Sequence, residues 1–342
     1  MRDLIEALCA ADCAGRATGS PGGRRARAIL ARAFADVGLE VHEQPLPDVG
    51  GANLLAAVRG TGPNADRFVV VGAHYDHLGV LGGTIHPGAD DNATAVAILI
   101  DLAGALARRR PQGRSVLLAA FDGEEPPHFA GDTMGSEQFC RAPTVPLAAI
   151  DTMVCMDLVG HAVGPIDAPE ELRQSLFVLG AERGAGTPAL VDRLARAVPG
   201  VLARRLDAEV IPPLSDYWPF WRRRVPFLFL TCGRWAHYHT PDDTPDRLDY
   251  AKIAATARWL ELLVRQVCAR PEERVAFADR RDDAATLHTL RALLAPLASA
   301  HPVAAEVRRR ASELLASCDE HGVSRDPLAI SALAMQVEAA LF

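Results

Sequence analysis

Short apolar runs alternate with helical patterns along most of the chain. Apolar residues recur at helical spacing in segments 24–37, 93–109 and 251–268. Between them lie apolar, partly β-branched runs that are typical of strands. These runs cover residues 39–43, 53–59, 67–74, 115–122, 152–159, 175–179 and 225–232. Strands that alternate with helices predict a three-layer α/β/α fold with a mixed, largely parallel central sheet.

The pattern changes after residue 270. A charged stretch without strand signals is followed by three segments whose apolar residues recur at i, i+3 and i+4. These residues are Leu287, Leu290 and Leu294, then Val307, Ala311 and Leu314, then Ile330, Leu333 and Val337. We therefore expect an α/β domain over residues 1–270 and a C-terminal helical extension over residues 271–342. The extension either packs on that domain or joins two copies of the chain.

Composition narrows the class of protein. The chain has 342 residues and a formal net charge of −7, which gives no electrostatic reason to expect a nucleic-acid partner. Its apolar stretches fall short of the roughly 18 residues that span a membrane. Asp3 and Glu6 interrupt the N-terminal apolar residues, unlike a secretory signal, and the seven cysteines show no CxxC spacing. We expect a cytoplasmic protein with reduced thiols.

Metal-ligand side chains follow the predicted strands. His74 ends one apolar run, and Glu124 and Glu125 follow another. Asp157 lies near the end of a third run, and His239 lies in the loop after a fourth. The adjacent Asp90 and Asp91 precede a long apolar helix. In an open α/β sheet, sites form at the carboxyl ends of the strands. These side chains are therefore expected to meet at one edge.

Each of these residues also has an ordinary structural explanation. Asp90 and Asp91 could cap the helix that follows, and Glu124 and Glu125 could belong to an acidic turn. Taken together these explanations fail, because adjacent carboxylates at the edge of an apolar sheet repel each other unless a cation holds them. The pattern favours a metal site.

Five motifs carry a family resemblance. In chain order they are GAHYDHLG, GADDNATA, FDGEE, MDLVG and HYHTPDDTPDRLDY. Their order and spacing resemble those of the zinc peptidases of family M28, from about residue 14 to residue 267. The resemblance implies a metal-dependent exopeptidase of the aminopeptidase type, with two zinc ions and a peptide or small amino-acid-derived substrate.

The resemblance also implies the metal ligands. Asp91 would bridge both ions, and the remaining ligands would divide between them. His74 and Asp157 would complete one ion, and Glu125 and His239 the other. Zinc takes imidazole nitrogen and carboxylate oxygen in such sets. The family also implies a cis peptide bond after Asp91.

Further roles follow from the same resemblance. Glu124 resembles the general base that deprotonates the zinc-activated water. Asp76 resembles the carboxylate that orients the imidazole of His74. Tyr238 could donate a hydrogen bond from its hydroxyl group to the oxyanion, or simply pack in the pocket wall. Asp216 could anchor a substrate amine, or be a structural loop residue. The loop after Glu125 is expected to line the substrate cleft.

Three alternatives stay open. FDGEE, MDLVG and PFWRRRVP also resemble the glutaminyl cyclase branch of the superfamily, whose members use a single zinc ion for acyl transfer. A carboxypeptidase or dipeptidase on the same fold would need a cationic pocket, for which Arg222, Arg223, Arg224 and Arg234 are the candidates. A non-enzymatic binding module would have lost a ligand or the base, and neither is lost here.

Overall fold

The central sheet is built from short strands of mostly apolar residues. The computed structural model describes residues 1–299 and 301–341. Its strands are β1 (His42–Pro45), β2 (Ala52–Val58), β3 (Phe68–His74), β4 (Gly79–Leu81), β5 (Thr84–His86), β6 (Ser115–Phe121), β7 (Ile150–Met156), β8 (Ser175–Leu179), β9 (Leu202–Leu206) and β10 (Phe227–Thr231). Strands β4 and β5 form a separate small hairpin, and the others form one sheet in the order β1-β2-β6-β3-β7-β10-β8-β9.

The middle of this sheet is parallel and its margins are partly antiparallel. Strand β3 runs parallel to both β6 and β7, and β7 runs parallel to β10. Strand β2 is antiparallel to its neighbours, and β8 is antiparallel to β10. Every residue of β3, β6 and β7 is buried. Because successive side chains of a strand point to opposite faces, both faces of the sheet must be covered. The predicted mixed α/β/α fold is confirmed.

Helices supply the outer layers. They are α1 (Arg2–Cys9), α2 (Pro21–Asp36), α3 (Thr94–Arg108), α4 (Gly135–Arg141), α5 (Glu170–Arg173), α6 (Thr187–Leu194), α7 (Trp218–Arg222), α8 (Tyr250–Cys268), α9 (Asp283–Leu293), α10 (Pro302–Ala316) and α11 (Pro327–Leu341). Helices α3 and α8 pack on each other and on β3. Among the described residues, no helix combines the length and apolar character needed to cross a membrane.

The C-terminal extension forms helices where the apolar spacing predicts them. Helix α9 packs on β9 as well as on α10 and α11. The apolar residues of α9 are continuous with the core of the sheet, and Leu287, Leu290 and Leu293 are buried there. The extension therefore packs against the α/β domain. The domain boundary at residue 270 stays a prediction.

Some elements differ from the sequence prediction. Helix α2 begins at Pro21, three residues early, because the Ser20 hydroxyl accepts a hydrogen bond from the backbone N–H of Gly23 at 2.9 Å. Strand β9 and helix α1 were not predicted. All seven cysteines lie in the described part of the chain and are free thiols, as expected.

Candidate metal centre

Neighbouring strands of the sheet end at the same edge and deliver the predicted side chains there. Strand β3 ends at His74, and Glu124 and Glu125 follow the end of β6 by three and four residues. Asp157 comes directly after β7, and the loop after β10 leads to His239. Because β6, β3, β7 and β10 are consecutive and parallel, their carboxyl ends converge.

Asp91 reaches this edge from a wide turn that precedes α3. The turn covers Ala89–Ala93, and the peptide bond between Asp91 and Asn92 is cis, as the resemblance implies. The Asp243 carboxylate accepts hydrogen bonds from the backbone N–H groups of Asp90 at 2.8 Å and Asp91 at 3.1 Å. Asp243 lies four residues after His239, so the histidine loop also holds the Asp91 turn.

One group of donors consists of His74, Asp91 and Asp157. The Nε2 atom of His74 lies 3.4 Å from Oδ1 of Asp91 and 3.5 Å from Oδ1 of Asp157. All three side chains are buried, and their ligand atoms lie within 4.8 Å of one another. Nε2 of His74 and Oδ1 of Asp157 have no hydrogen-bond partner among the described residues. Buried polar atoms without partners are costly, so these atoms mark a candidate ligand site.

A second group lies on the other side of the Asp91 carboxylate. Nε2 of His239 is 3.1 Å from Oδ2 of Asp91 and 3.3 Å from Oε2 of Glu125. One carboxylate therefore contacts both histidines, His74 through Oδ1 and His239 through Oδ2. The structure thus brings together all five residues that the resemblance implies as metal ligands.

His77 also belongs to this second group, although the family resemblance gave it no role. Its Nδ1 atom lies 2.8 Å from Oε1 of Glu125 and 3.8 Å from Oδ2 of Asp91. The imidazole is buried, and ligand atoms of His77, Asp91 and Glu125 lie within 4.8 Å of one another. The only sequence signal was its place in GAHYDHLG, one residue after Asp76.

Asp76 supports the site from behind. Its carboxylate accepts hydrogen bonds from the backbone N–H groups of Glu124 at 3.1 Å and Glu125 at 3.0 Å. Nδ1 of His74 lies 3.2 Å from the backbone oxygen of Asp76 and 3.7 Å from its carboxylate. The backbone oxygen is thus the nearer partner of the imidazole, while the carboxylate fixes the loop that carries both glutamates.

The charges at this edge suit a cation. Burial, followed by the charges of Asp157 and Glu125, raises the pKa of Glu124 well above its usual range, against the influence of His74. Burial alone would lower the pKa of His74, but the charges of Glu124 and Asp157 raise it well above normal. Without a neighbouring cation, the Glu124 carboxyl thus favours its protonated form. Divalent ions would neutralise the carboxylates of the cluster instead.

A cavity of about 420 Å³ opens onto the cluster. Asp91, Glu124, Glu125, Asp157 and His239 all line it. Such a volume is typical of small-molecule sites. Most of its other lining residues are apolar, apart from Arg234 and Glu338.

The remaining predicted site residues take different positions around this cavity. Tyr238 lines it, with its ring stacked on His239 at a centroid distance of 3.8 Å. Phe129, in the loop after Glu125, lines it too, as expected for that loop. Asp216 is fully buried and is not one of the described lining residues. Burial raises the pKa of Asp216 to about 7, against the lowering influence of His74.

Comparison with known proteins gives the same family as the motifs. The profile of "Peptidase family M28" matches residues 53–264. An uncharacterised protein of Escherichia coli, YfbL, is 31% identical over 67% of this chain and 76% of its own length. Glutaminyl-peptide cyclotransferase of Drosophila melanogaster is 29% identical over 58% of this chain and 60% of its own length.

Solved structures share the fold at low sequence identity. The LapA aminopeptidase of Legionella pneumophila superposes with a TM-score of 0.62 and 14% identity, over 80% of this chain and 73% of that one. The glutaminyl cyclase of Porphyromonas gingivalis gives a TM-score of 0.60 and 17% identity, over 78% and 96%. With a family match across more than half of its length, the chain belongs to peptidase family M28.

Proposed function

We propose that this protein is a zinc-dependent exopeptidase of the aminopeptidase type, which removes N-terminal residues from peptides. The observation that carries the proposal is the position of the Asp91 carboxylate between His74 and His239. A carboxylate shared by two donor sets is suited to two neighbouring ions, and paired metal sites are common in aminopeptidases.

The residues present fit zinc. Imidazole nitrogen and carboxylate oxygen are common zinc ligands. Nε2 of His74 and Oδ1 of Asp157, which have no hydrogen-bond partner among the described residues, lie 3.5 Å apart and close to Asp91. We assign His74, Asp91 and Asp157 to one ion and Asp91, Glu125 and His239 to the other. When bound, zinc supplies Lewis acidity that polarises a carbonyl group and makes water a stronger acid.

Glu124 is our candidate for the general base. It is buried, lines the cavity and lies beside the metal cluster, with Oε2 3.7 Å from Nε2 of His74. Its raised pKa suits a group that accepts a proton from water and then donates it to the departing amine. Its backbone N–H is fixed by Asp76, which would keep the carboxylate in place.

Two further assignments complete the proposal with different support. Tyr238 lines the cavity next to His239, a position from which its hydroxyl could donate to the developing oxyanion. Asp216 was predicted to anchor the substrate amine, yet it lies fully buried behind the cavity surface. A supporting role beneath the site suits that position better. A cytoplasmic location and the absence of a nucleic-acid partner remain expectations from the sequence.

A glutaminyl cyclase activity is the second candidate. It is favoured by the 29% identity to glutaminyl-peptide cyclotransferase of Drosophila melanogaster. In such a reaction the amine of an N-terminal glutamine attacks its own side-chain amide, so water is not the nucleophile. Incubation with leucine p-nitroanilide and with a peptide that begins with glutamine separates the two. We expect nitroaniline to be released from the anilide and the glutamine peptide to lose no ammonia. Loss of ammonia from the peptide without release of nitroaniline would assign a cyclase.

A carboxypeptidase has less support because the candidate arginines are already paired. Arg222 and Arg223 contact Glu137, and Arg224 contacts Asp279. Arg234 lines the cavity but forms a two-pronged ion pair with Glu338. A substrate carboxylate would have to displace one of these partners. The described lining of the cavity therefore offers a substrate carboxylate no unpaired arginine.

A further inference from the structure

The C-terminal extension reaches the candidate active site. Residues of α9 and α11 line the same cavity as Glu124 and His239. From α9 these are Leu290 and Leu293, and from α11 they include Ala334, Val337 and Leu341. The family profile ends at residue 264. This wall therefore comes from a part of the chain that the family match does not cover.

An ion pair ties α11 to the loop that carries a proposed metal ligand. Nε of Arg234 lies 2.9 Å from Oε1 of Glu338, and Nη2 lies 3.1 Å from Oε2. Arg234 precedes His239 by five residues, and both members of the pair line the cavity. A planar guanidinium with two parallel contacts fixes geometry as well as charge. The extension is thus held against the site at a defined point, and the pair leaves no net charge there.

The rest of the cavity lining has the same apolar character. The sheet domain contributes Phe177, Leu206 and Phe229, in addition to the apolar residues of α9 and α11. Apart from the metal cluster and the neutral Arg234–Glu338 pair, the cavity offers few partners for a charged side chain. Burying a charge without a partner is costly, whereas burying the apolar surface of a substrate side chain favours binding. The walls favour a large uncharged side chain.

We propose that α9 and α11 form the specificity wall of the active site and select substrates with a bulky apolar side chain next to the scissile bond. The proposal rests on the proposed function for the reaction that is catalysed. The side-chain preference itself can also be measured as binding, without turnover. The C-terminal extension would then select substrates as well as pack against the α/β domain. Substrates with a small or charged side chain at that position are turned over poorly.

Two alanines on α11 provide a matched test. Ala334 lines the cavity, whereas Ala332 is exposed on the same helix. In Ala334→Phe the new ring occupies the space of the substrate side chain. We expect the ratio of kcat/KM for leucine p-nitroanilide to that for alanine p-nitroanilide to fall at least ~10-fold. Ala332→Phe should keep the wild-type ratio within about twofold.

A second variant and a binding measurement keep the test decisive. Val337→Ala enlarges the cavity without adding atoms, and the preference should move from leucine towards phenylalanine anilide. Calorimetric titration of the zinc-loaded protein with leucine and alanine hydroxamates measures the same preference without turnover. If wild type hydrolyses no anilide but still prefers leucine hydroxamate, the proposed function fails and the wall stands. If Ala334→Phe and Val337→Ala both keep the wild-type ratios, the wall is overturned.

Discussion

The imidazole of His77 and the carboxylate of Glu125 form a buried pair, with 2.8 Å between Nδ1 and Oε1. The other oxygen of Glu125 faces Nε2 of His239 at 3.3 Å. His77 therefore holds one oxygen of Glu125 while the second remains directed at the proposed metal position. Replacing a group that orients a metal ligand in this way lowers metal affinity by about 10–100-fold.

Replacing His77 tests this orientation. In His77→Phe we expect zinc affinity at the Glu125 position to fall by about 10–100-fold, because the Glu125 carboxylate loses the partner that orients it. Competition with a fluorescent zinc chelator measures the change. His42→Asn, at an exposed position of β1, is the control and should bind zinc like wild type. Unchanged affinity in His77→Phe would show that His77 only fills space.

The neighbouring glutamates should respond differently to the same substitution. Glu124→Gln removes the proposed base but no assigned ligand, so we expect both ions to remain and kcat to fall at least ~100-fold. Glu125→Gln removes a ligand oxygen charge, so zinc content itself should drop. Zinc analysis by mass spectrometry, together with anilide hydrolysis, separates the two effects. Wild-type turnover by Glu124→Gln would remove that residue from the mechanism.

The two glutamates also show how much the sequence could predict. The apolar runs predicted strand ends at residues 74, 122 and 159, and the strands end at His74, Phe121 and Met156. The first two ends agree to within one residue, so the meeting of the site residues at one edge was predictable from topology. The position of His77 was harder to predict, because β3 ends at His74. Beyond the strand, successive side chains no longer alternate between two faces. Sequence spacing there does not tell which imidazole turns towards the cluster.

Other elements were beyond sequence reasoning for different reasons. Strand β9 carries Arg204 and Arg205, which hide its apolar signal, yet Arg204 is buried and donates a hydrogen bond to Ser175 on β8. The helical spacing of the extension revealed its apolar faces but not what they cover. That α11 lines the cavity depends on tertiary packing, which no local pattern encodes.

Asp243 should matter to both stability and metal binding. Its two carboxylate oxygens accept the backbone N–H groups of Asp90 and Asp91. In Asp243→Asn one of these oxygens is replaced by an NH₂ group, which cannot accept a hydrogen bond from the backbone N–H that faces it. We expect a loss of about 1–3 kcal/mol in the free energy of unfolding. Zinc binding should weaken as well, because Asp91 is held less firmly.

The adjacent residue supplies the control for this change. Asp242 is exposed, so Asp242→Asn should alter neither property beyond about 0.5 kcal/mol. Urea unfolding of the metal-free variants gives the stability difference, and chelator competition gives the zinc affinity. Equal behaviour of the two variants would mean that Asp243 does not hold the Asp91 turn.

Acid stability should depend on Glu137. Burial would raise the pKa of this carboxyl, but hydrogen bonds from Arg223 and Arg141 and the charges of Arg223 and Arg222 lower it to about 2. A group whose folded pKa is depressed stabilises the fold above its unfolded pKa and loses that effect as pH falls through the folded value. This contribution is therefore complete above about pH 5 and disappears towards pH 2.

The Glu137→Gln variant isolates that contribution. At pH 7 we expect it to be less stable than wild type by about 1–2 kcal/mol, since charge-assisted hydrogen bonds are lost. The gap should narrow as pH is lowered from 5 to 2, because wild-type Glu137 becomes protonated. Chemical unfolding of both proteins at a series of pH values measures this stability difference. A gap that does not change with pH would contradict the lowered pKa.

The most direct test of the whole account is the number of zinc ions bound by the chain and its dependence on Asp91. Native mass spectrometry of chelator-stripped protein titrated with zinc should show two ions per wild-type chain. Asp91→Ala should bind neither ion tightly, because this carboxylate belongs to both donor groups. A wild-type chain that takes up no zinc, or an Asp91→Ala variant that still binds two ions, would contradict the shared site.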